Sequence, residues 1–222
     1  MLYHLFYYPA RIALYFYCRQ LQINKREFTK LSGPLILAAN HPNSFLDAII
    51  IASIFKHPVY SLARGDAFVS PWIIMILRSL KMLPVYRISE GKENLKNNFN
   101  TFDSVNELLQ KDKIVLIFSE GLCINEWHLR PLKKGTARMA IRAWESNIPL
   151  KVLPVGINYS SFRHFGKKMI INFGDIITQE NFNNENDGKN IIAFNQRLNE
   201  QLSSLIYEIP AGDIEKRRKI FE

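Results

Sequence analysis

Residues 34–55, PLILAANHPNSFLDAIIIASIF, contain the pattern that decides the fold. The first part is a continuously apolar run, which is typical of a strand that is buried on both faces of a sheet. Residues 44–55 have the length and apolar content of a helix. The segment between them carries His41, and Asp47 follows at the start of the predicted helix. A strand that passes through a short polar loop into a helix is the repeating unit of α/β folds.

The same alternation continues along the chain. Six apolar runs predict strands: PLILAAN (34–40), HPVYSLAR (57–64), MLPVYR (82–87), KIVLIFSEG (113–121), PLKVLPVGINY (149–159) and KKMIINFGDII (167–177). Helices are predicted at about 44–55, 70–80, 91–110, 135–146 and 189–207. We therefore expect a single α/β domain over residues 31–222, with a mostly parallel or mixed central sheet flanked by helices.

The composition indicates an anionic partner. The chain has 222 residues, of which 47% are hydrophobic, and its net charge is +9. Such a surplus attracts nucleic acid, an anionic lipid surface, or an acidic carrier or substrate. Lys216–Lys219 form one short basic run near the C-terminus, either a solvated helix end or a membrane contact.

Cys18 and Cys123 are the only cysteines, too few for a disulfide framework or a zinc site, which favours a reducing, cytoplasmic setting.

The N-terminal segment, MLYHLFYYPARIALYFYCRQL (1–21), is apolar and rich in aromatic residues. It has no basic start and no small-residue cleavage site, so it is a poor signal peptide. Pro9 is expected to break it and Arg11 interrupts it, so no run is long enough to span a bilayer. Helical spacing over residues 2–22 separates a polar-tipped stripe from an apolar face. Residues 1–30 are therefore predicted to form an amphipathic helix region at the bilayer interface, or alternatively a helix packed on the protein core.

Residues 68–86, FVSPWIIMILRSLKMLPVY, form the most apolar segment. They predict a core helix leading into a strand. Alternatively, the segment lines an acyl-chain tunnel or dips into the membrane interface, with Trp72 as an interfacial anchor.

Ionisable residues follow four of the predicted strands: His41, Arg64, Arg87 and Glu120, the last beside Gly121. In α/β sheets, ligands collect where parallel strands end and helices begin. The four positions therefore predict a site at one edge of the sheet.

The pair His41 and Asp47 allows two interpretations. Ser44 followed three residues later by Asp47 has the pattern of a helix N-cap, in which the carboxylate only caps backbone N–H groups. Alternatively, His41 folds back on Asp47, which would fix its tautomer and support the imidazolium. A histidine accepts a proton from an alcohol at neutral pH. Neither Ser119 nor Cys123 lies in the context of a covalent nucleophile, so direct transfer with an activated hydroxyl is the simpler chemistry.

The ordered motifs resemble the glycerolipid acyltransferase family, typified by lysophosphatidic acid acyltransferase. The motifs are NHPNSFLD, LPVYR, FSEG, LKKGTARMA and VLPVGINY, spread over about residues 34–160, with INFGDII resembling a further family segment. The resemblance implies that residues 31–222 are an acyltransferase domain. It also implies that His41 is the general base that deprotonates an acceptor hydroxyl, and that Asp47 orients and supports it.

The resemblance assigns the remaining candidates to two substrates. Acceptor or head-group binding falls to Arg87 and to Glu120 with Gly121, and Arg64 and Arg130 are further candidates for the head group. Acyl-donor or chain binding falls to Lys133, Lys134, Gly135, Pro154 and Trp72. Lys133 and Lys134 could instead form a solvated loop, and Arg64 a strand-end charge in water. No metal or resident cofactor is implied, since acyl-CoA or acyl carrier protein is a co-substrate.

The chain departs from the family pattern in three places. Five residues separate His41 from Asp47 where the family has four, and Ser119 replaces a proline. Leu122 and Cys123 stand where the family has Thr-Arg, and a cysteine cannot make a bidentate phosphate contact. Either Arg130 replaces that arginine, or the acceptor is not a phosphomonoester.

The sequence thus predicts an acyltransferase of phospholipid biosynthesis at the cytoplasmic face of the membrane, peripheral or monotopic. It would move a fatty acyl group from an acyl thioester to a lysolipid such as 1-acylglycerol-3-phosphate. One alternative keeps the chemistry and changes the acceptor to a lyso-aminolipid of the ornithine or glycine lipid type. Another is a non-catalytic basic module that binds membranes or nucleic acid. Nucleic acid is not expected as a partner, because the aromatic residues are concentrated at the N-terminus.

Overall fold

The structure, a computed structural model, describes residues 2–86, 94–182, 187–210 and 212–221. In chain order its strands are β1 (Cys18–Ile23), β2 (Leu35–Ala39), β3 (Val59–Arg64), β4 (Met82–Val85), β5 (Ile114–Phe118), β6 (Lys151–Tyr159) and β7 (Lys167–Phe173). Its α-helices are α1 (Leu2–Tyr17), α2 (Ser44–Ile54), α3 (Pro71–Ser79), α4 (Asn94–Gln110), α5 (Gly135–Glu145), α6 (Asp187–Leu205) and α7 (Ile214–Phe221). All six predicted strands and all five predicted helices are found, except that residue 87 of the predicted strand 82–87 and residues 91–93 of the predicted helix 91–110 lie outside the described residues.

The seven strands form one mixed sheet in the order β1-β7-β6-β2-β5-β3-β4. Strands β6, β2, β5, β3 and β4 run parallel, and the pairing of β6 with β7 is antiparallel. The predicted α/β class with a mostly parallel or mixed sheet is therefore confirmed. Because β2, β5 and β6 are parallel neighbours, the residues that follow their carboxyl ends lie at the same edge of the sheet.

Helices cover both faces of the sheet. On one face, alternate residues of β2 and β5 pack against α4, α5 and α6, with Phe194 and Leu109 among the fully buried side chains. On the other face, α1 and α2 supply Leu14, Ile50 and Ile51. Every residue of β2 is buried, as expected for a central parallel strand covered on both sides.

The N-terminal prediction is corrected in two respects. The helix ends at Tyr17, and residues 18–23 form β1, an edge strand that pairs in parallel with β7. Pro9 lies within α1 and does not break it. Proline has no N–H, so the backbone carbonyl four residues before Pro9 lacks its helical hydrogen bond. Because Pro9 is exposed, this carbonyl lies on the solvent side of the helix. Within the described residues, no helix is long and apolar enough to cross a membrane.

Helices α1 and α3 leave much of their apolar surface exposed. In α1, Tyr3 and Leu14 are buried and the helix contacts α2 and α3. In α3 no residue is buried, so the core-helix interpretation of residues 71–79 is wrong. The large exposed apolar and aromatic side chains of these two helices are Leu5, Phe6, Tyr8, Ile12, Tyr15, Phe16, Trp72, Ile73, Met75 and Ile76. We call them the apolar face.

Candidate active site

His41 is positioned by the end of strand β2. The strand ends at Ala39. The side chain of the next residue, Asn40, then forms hydrogen bonds to β6. The Asn40 amide donates to the carbonyl oxygen of Ile157 at 3.0 Å, and its Oδ1 accepts from the N–H of Ile157 at 2.7 Å. Because Asn40 is buried and held by two hydrogen bonds, the start of the loop that carries His41 is fixed.

His41 and Asp47 are in contact. Nδ1 of His41 lies 2.9 Å from Oδ2 of Asp47. The Asp47 side chain is 0% exposed and that of His41 is 18% exposed. Since a carboxylate only accepts hydrogen bonds, Nδ1 carries the proton and Nε2 is left as the acceptor. The arrangement provides a histidine that can take a proton from a substrate, backed by a buried carboxylate.

Asp47 accepts two further hydrogen bonds. The backbone N–H of Asn43 donates to Oδ2 at 2.8 Å, and the hydroxyl of Tyr159 lies 2.6 Å from Oδ1. A buried carboxylate is tolerated only when donors compensate for its lost hydration. Asp47 is thus both a cap for the loop and the partner of His41, so the two interpretations of the sequence are compatible.

The extra residue between His41 and Asp47 is accommodated by an unusual backbone conformation. Ser44 has φ 51°, in the left-handed region that non-glycine residues rarely adopt. Asn43, not Ser44, occupies the N-cap position of α2, and no side chain caps the helix there. The prediction that Ser44 is the N-cap is therefore wrong. The left-handed turn lets the chain carry one more residue and still bring Asp47 to His41.

Phe118, the last residue of β5, supports the imidazole. Its ring stacks on that of His41 with centroids 3.7 Å apart and planes 9° from parallel. The stacking fixes one face of the imidazole, while the Asp47 contact fixes its edge. Together they determine the direction in which Nε2 points.

The loop after β5 wraps around the loop that carries His41. The N–H of Ile124 donates to the carbonyl oxygen of His41 at 3.3 Å, and the amide of Asn125 donates to that of Pro42 at 2.6 Å. Sγ of Cys123 accepts from the N–H of Ser44 at 2.8 Å. Burial raises the pKa of the Cys123 thiol, which disfavours the thiolate that a nucleophilic cysteine needs. Cys123 is therefore a structural contact of the left-handed turn.

Glu120 is a buried carboxyl group next to the pair. Burial raises its pKa from 4.5 to about 7, and the Asp47 charge also raises it. The backbone N–H groups of Arg130 and His41 and the Arg130 charge act in the opposite direction. Glu120 thus contacts the backbone of the predicted general base, and it is only 5% exposed.

Gly121 permits the tight turn that follows Glu120. Its φ is +68°, and a Cβ at this position would lie 3.0 Å from Cγ of Lys133. The backbone N–H of Lys133 donates to the carbonyl oxygen of Ser119 at 2.8 Å, so the loop folds back on the end of β5. Lys134 and Gly135 follow at the start of α5, where Lys134 is exposed.

The other predicted residues are distributed over the molecule. Arg130 pairs with Glu126 at 2.9 Å and acts electrostatically on Glu120, so it belongs to the site. Arg64 pairs with Asp66 at the exposed end of β3. Pro154 is buried within β6 opposite Ala38, and Trp72 is 73% exposed on α3. The prediction for Arg87 lies outside the described residues.

Sequence reasoning missed Tyr159, the backbone of Asn43 and the ring of Phe118. Phe118 and Tyr159 are the last residues of β5 and β6, which flank β2. Their position at parallel strand ends beside His41 was the available signal. Within the described part of the chain, no group of three or more His, Cys, Asp or Glu side chains could hold a metal ion.

Comparisons with known proteins identify the family of the chain. The Acyltransferase family matches residues 20–158, a range that contains His41, Asp47, Glu120 and Pro154. The chain therefore belongs to the Acyltransferase family, and it is an enzyme of that class. It is 24% identical over 168 residues to a chloroplastic 1-acyl-sn-glycerol-3-phosphate acyltransferase, BAT2, of Brassica napus. That match covers 75% of this chain, which spans about 45% of the length of the relative.

The fold is also found in a crystal structure. The 1-acyl-sn-glycerophosphate (LPA) acyltransferase PlsC of Thermotoga maritima superposes with a TM-score of 0.63 at 16% identity. The match covers 88% of this chain and 74% of that one. At this identity the likeness is one of fold.

Proposed function

We propose that the protein transfers a fatty acyl group from an acyl thioester to the hydroxyl of a lysolipid such as 1-acylglycerol-3-phosphate, in phospholipid biosynthesis. The observation that carries the proposal is the contact of His41 with the buried Asp47 at the sheet edge. The relative from Brassica napus is named as a 1-acyl-sn-glycerol-3-phosphate acyltransferase, and the structural neighbour from Thermotoga maritima as a 1-acyl-sn-glycerophosphate acyltransferase.

In the proposed reaction, Nε2 of His41 accepts the proton of the acceptor hydroxyl while the hydroxyl oxygen attacks the thioester carbonyl carbon. The new C–O bond forms, the C–S bond breaks, and the thiolate leaves. The proton then passes from His41 to the thiolate, which departs as a free thiol. Asp47 stabilises the imidazolium that exists between the two proton transfers. No covalent enzyme intermediate is required.

Arg130 is our candidate for the acceptor phosphate. It lies beside Glu120, next to the general base, and its side chain is partly exposed. A guanidinium binds a phosphomonoester through paired hydrogen bonds, which Cys123 cannot supply. The alternative acceptor, a lyso-aminolipid, remains a second candidate because Cys123 stands where the family has an arginine.

The donor is proposed to be acyl-CoA or acyl carrier protein. Both carry anionic groups, and the chain has a net charge of +9. Lys133 and Lys134 lie in the loop between β5 and α5 and are candidates for the donor contact.

We further propose that the protein binds the membrane peripherally through the apolar face. Exposed patches of this kind mark interaction surfaces, and aromatic side chains suit the depth of lipid head groups. Phe45, two residues before Asp47, is also exposed on α2, which contacts α1. A membrane at this surface would bring the lysolipid close to His41.

The test is an acyl-transfer assay with the purified chain on anionic vesicles. Palmitoyl-CoA and palmitoyl acyl carrier protein are each offered with 1-acylglycerol-3-phosphate or with a lyso-ornithine lipid. We expect phosphatidic acid as the main product, and we expect Arg130→Ala to raise KM for the phosphate acceptor. Transfer to the lyso-ornithine lipid alone would show that the acceptor is an aminolipid and not 1-acylglycerol-3-phosphate. Transfer to neither acceptor from either donor would overturn the proposal.

A further inference from the structure

A buried phenol lies behind the pair formed by His41 and Asp47. Tyr159, the last residue of β6, is fully buried, and its hydroxyl lies 2.6 Å from Oδ1 of Asp47. Burial and the charge of Asp47 raise the pKa of Tyr159 well above its ordinary value, so the phenol keeps its proton. Since the carboxylate can only accept, Tyr159 is the donor of this hydrogen bond.

Tyr159 is held in place from several sides. The indole N–H of Trp127 donates to its carbonyl oxygen at 2.6 Å. Nζ of Lys167, a buried lysine, lies 5.4 Å from the centroid of its ring. Lys167 in turn donates to the carbonyl oxygen of Phe162 at 2.7 Å. The phenol therefore has little freedom to leave Asp47.

The same network reaches the loop that carries His41. The carbonyl oxygen of Phe162 also accepts from the side-chain amide of Asn43 at 3.1 Å. The backbone N–H of Asn43 donates to Oδ2 of Asp47, the oxygen that faces His41. One carboxylate oxygen is thus bound by Tyr159, and the other is shared by Asn43 and His41.

We propose that Tyr159 is a positioning residue for acyl transfer, which holds the Asp47 carboxylate so that Oδ2 faces Nδ1 of His41. The inference rests on the proposed role of His41 as the general base. Tyr159 acts through Asp47 and does not touch the substrate. Without the phenol donor, Oδ1 would be buried and unpaired, and the carboxylate could turn away from His41.

The test is Tyr159→Phe, assayed for kcat and for the KM of both substrates. We expect kcat to fall about tenfold, as for loss of a hydrogen bond to a charged group, with KM for both substrates within about twofold. A fall in kcat at unchanged KM is the result expected of a residue that positions the general base without touching the substrate. Tyr60→Phe is the matched control, because the Tyr60 hydroxyl accepts from Lys81 at a distance from the site.

Wild-type kcat in Tyr159→Phe, or a loss carried by KM with kcat unchanged, would overturn the inference. A loss of activity that only follows a smaller folded fraction, measured by circular dichroism, would also overturn it. If the variant does not fold, 3-fluorotyrosine placed at position 159 keeps the hydroxyl and its hydrogen bond to Asp47. Its kcat should then stay within about twofold of wild type, and a tenfold fall would overturn the inference. Failure of the proposed function is distinguishable, because His41→Ala would then retain activity.

Discussion

Nδ1 of His41 and Oδ2 of Asp47 are 2.9 Å apart, although five residues separate them in the chain. Two local features make the contact possible. Asn40 anchors the start of the loop on β6, and Ser44 turns the backbone through a left-handed conformation. The contact therefore depends on loop geometry as well as on the two side chains.

Replacing Asp47 with asparagine should leave the fold intact and remove most of the activity. Asparagine has the same shape but no charge, so it neither stabilises the imidazolium nor enforces the tautomer with the proton on Nδ1. We expect kcat to fall by about 10³-fold, with little change in KM. Asp175→Asn is the control, since Asp175 is an exposed aspartate paired with Lys25. A kcat within threefold of wild type for Asp47→Asn would contradict the assigned role.

Substitutions at Ser44 test the left-handed turn. Ser44→Ala should change the free energy of unfolding by less than about 0.5 kcal/mol, because this side chain does not cap α2. Ser44→Val should destabilise by about 1–3 kcal/mol, since a β-branched residue strains this conformation. Denaturant unfolding measures both values.

Ser70→Ala provides the comparison for Ser44→Ala. Ser70 is the N-cap of α3, and its hydroxyl accepts from the N–H of Ile73. Its removal should cost about 1 kcal/mol. If Ser44→Ala cost as much, Ser44 would stabilise the helix start in a way that these contacts do not explain.

Glu120 should make stability depend on pH. Its folded pKa of about 7 lies above its ordinary value of 4.5, so the folded state holds a proton that the unfolded state releases between these values. Its contribution is therefore fully present below about pH 4.5 and is lost as pH rises through 7. From the size of the shift, this loss is roughly 3 kcal/mol.

The measurement compares wild type with Glu120→Gln by denaturant unfolding at pH 5 and pH 8. The glutamine does not titrate, so the wild type should lose more stability than the variant between the two pH values. Parallel losses in the two proteins would show that Glu120 does not hold its proton in the folded state.

The apolar face is tested by vesicle binding. The double variant Ile12→Ser with Phe16→Ser should weaken co-sedimentation with phosphatidylglycerol-containing vesicles by about tenfold, since two large apolar side chains no longer leave water. Ile192→Ser is the control: Ile192 is 64% exposed on α6, and Ile12 is 60% exposed on α1. Equal binding by all three proteins would mean that the apolar face does not contact the membrane.

Much of the fold follows from local patterns. The continuous apolar runs of β2 and β5 predict buried parallel strands because both faces of each strand are covered. Strand β1 has no such signal: only Cys18 in it is buried, and among the described strands it pairs only with β7. Its residues fit the helical spacing of the preceding segment, and only tertiary pairing makes them a strand.

The site was predictable where it is local. His41 and Asp47 lie within one loop and the helix start that follows it, so a single local sequence motif contains both residues and predicts their contact. Tyr159 is 112 positions from Asp47, and it reaches that carboxylate only because β6 pairs with β2. The left-handed backbone conformation at Ser44 was also not predictable from the sequence, because a serine before a helical pattern usually indicates an N-cap.

The central claim is that His41 is the general base of an acyl transfer. The most direct measurement is kcat of His41→Ala with an acyl thioester and 1-acylglycerol-3-phosphate on anionic vesicles, alongside circular dichroism and the control His57→Ala, at an exposed histidine. Loss of a general base predicts a fall in kcat of about 10²–10⁴-fold, with the fold retained and His57→Ala fully active. Wild-type turnover by a folded His41→Ala protein would contradict the account.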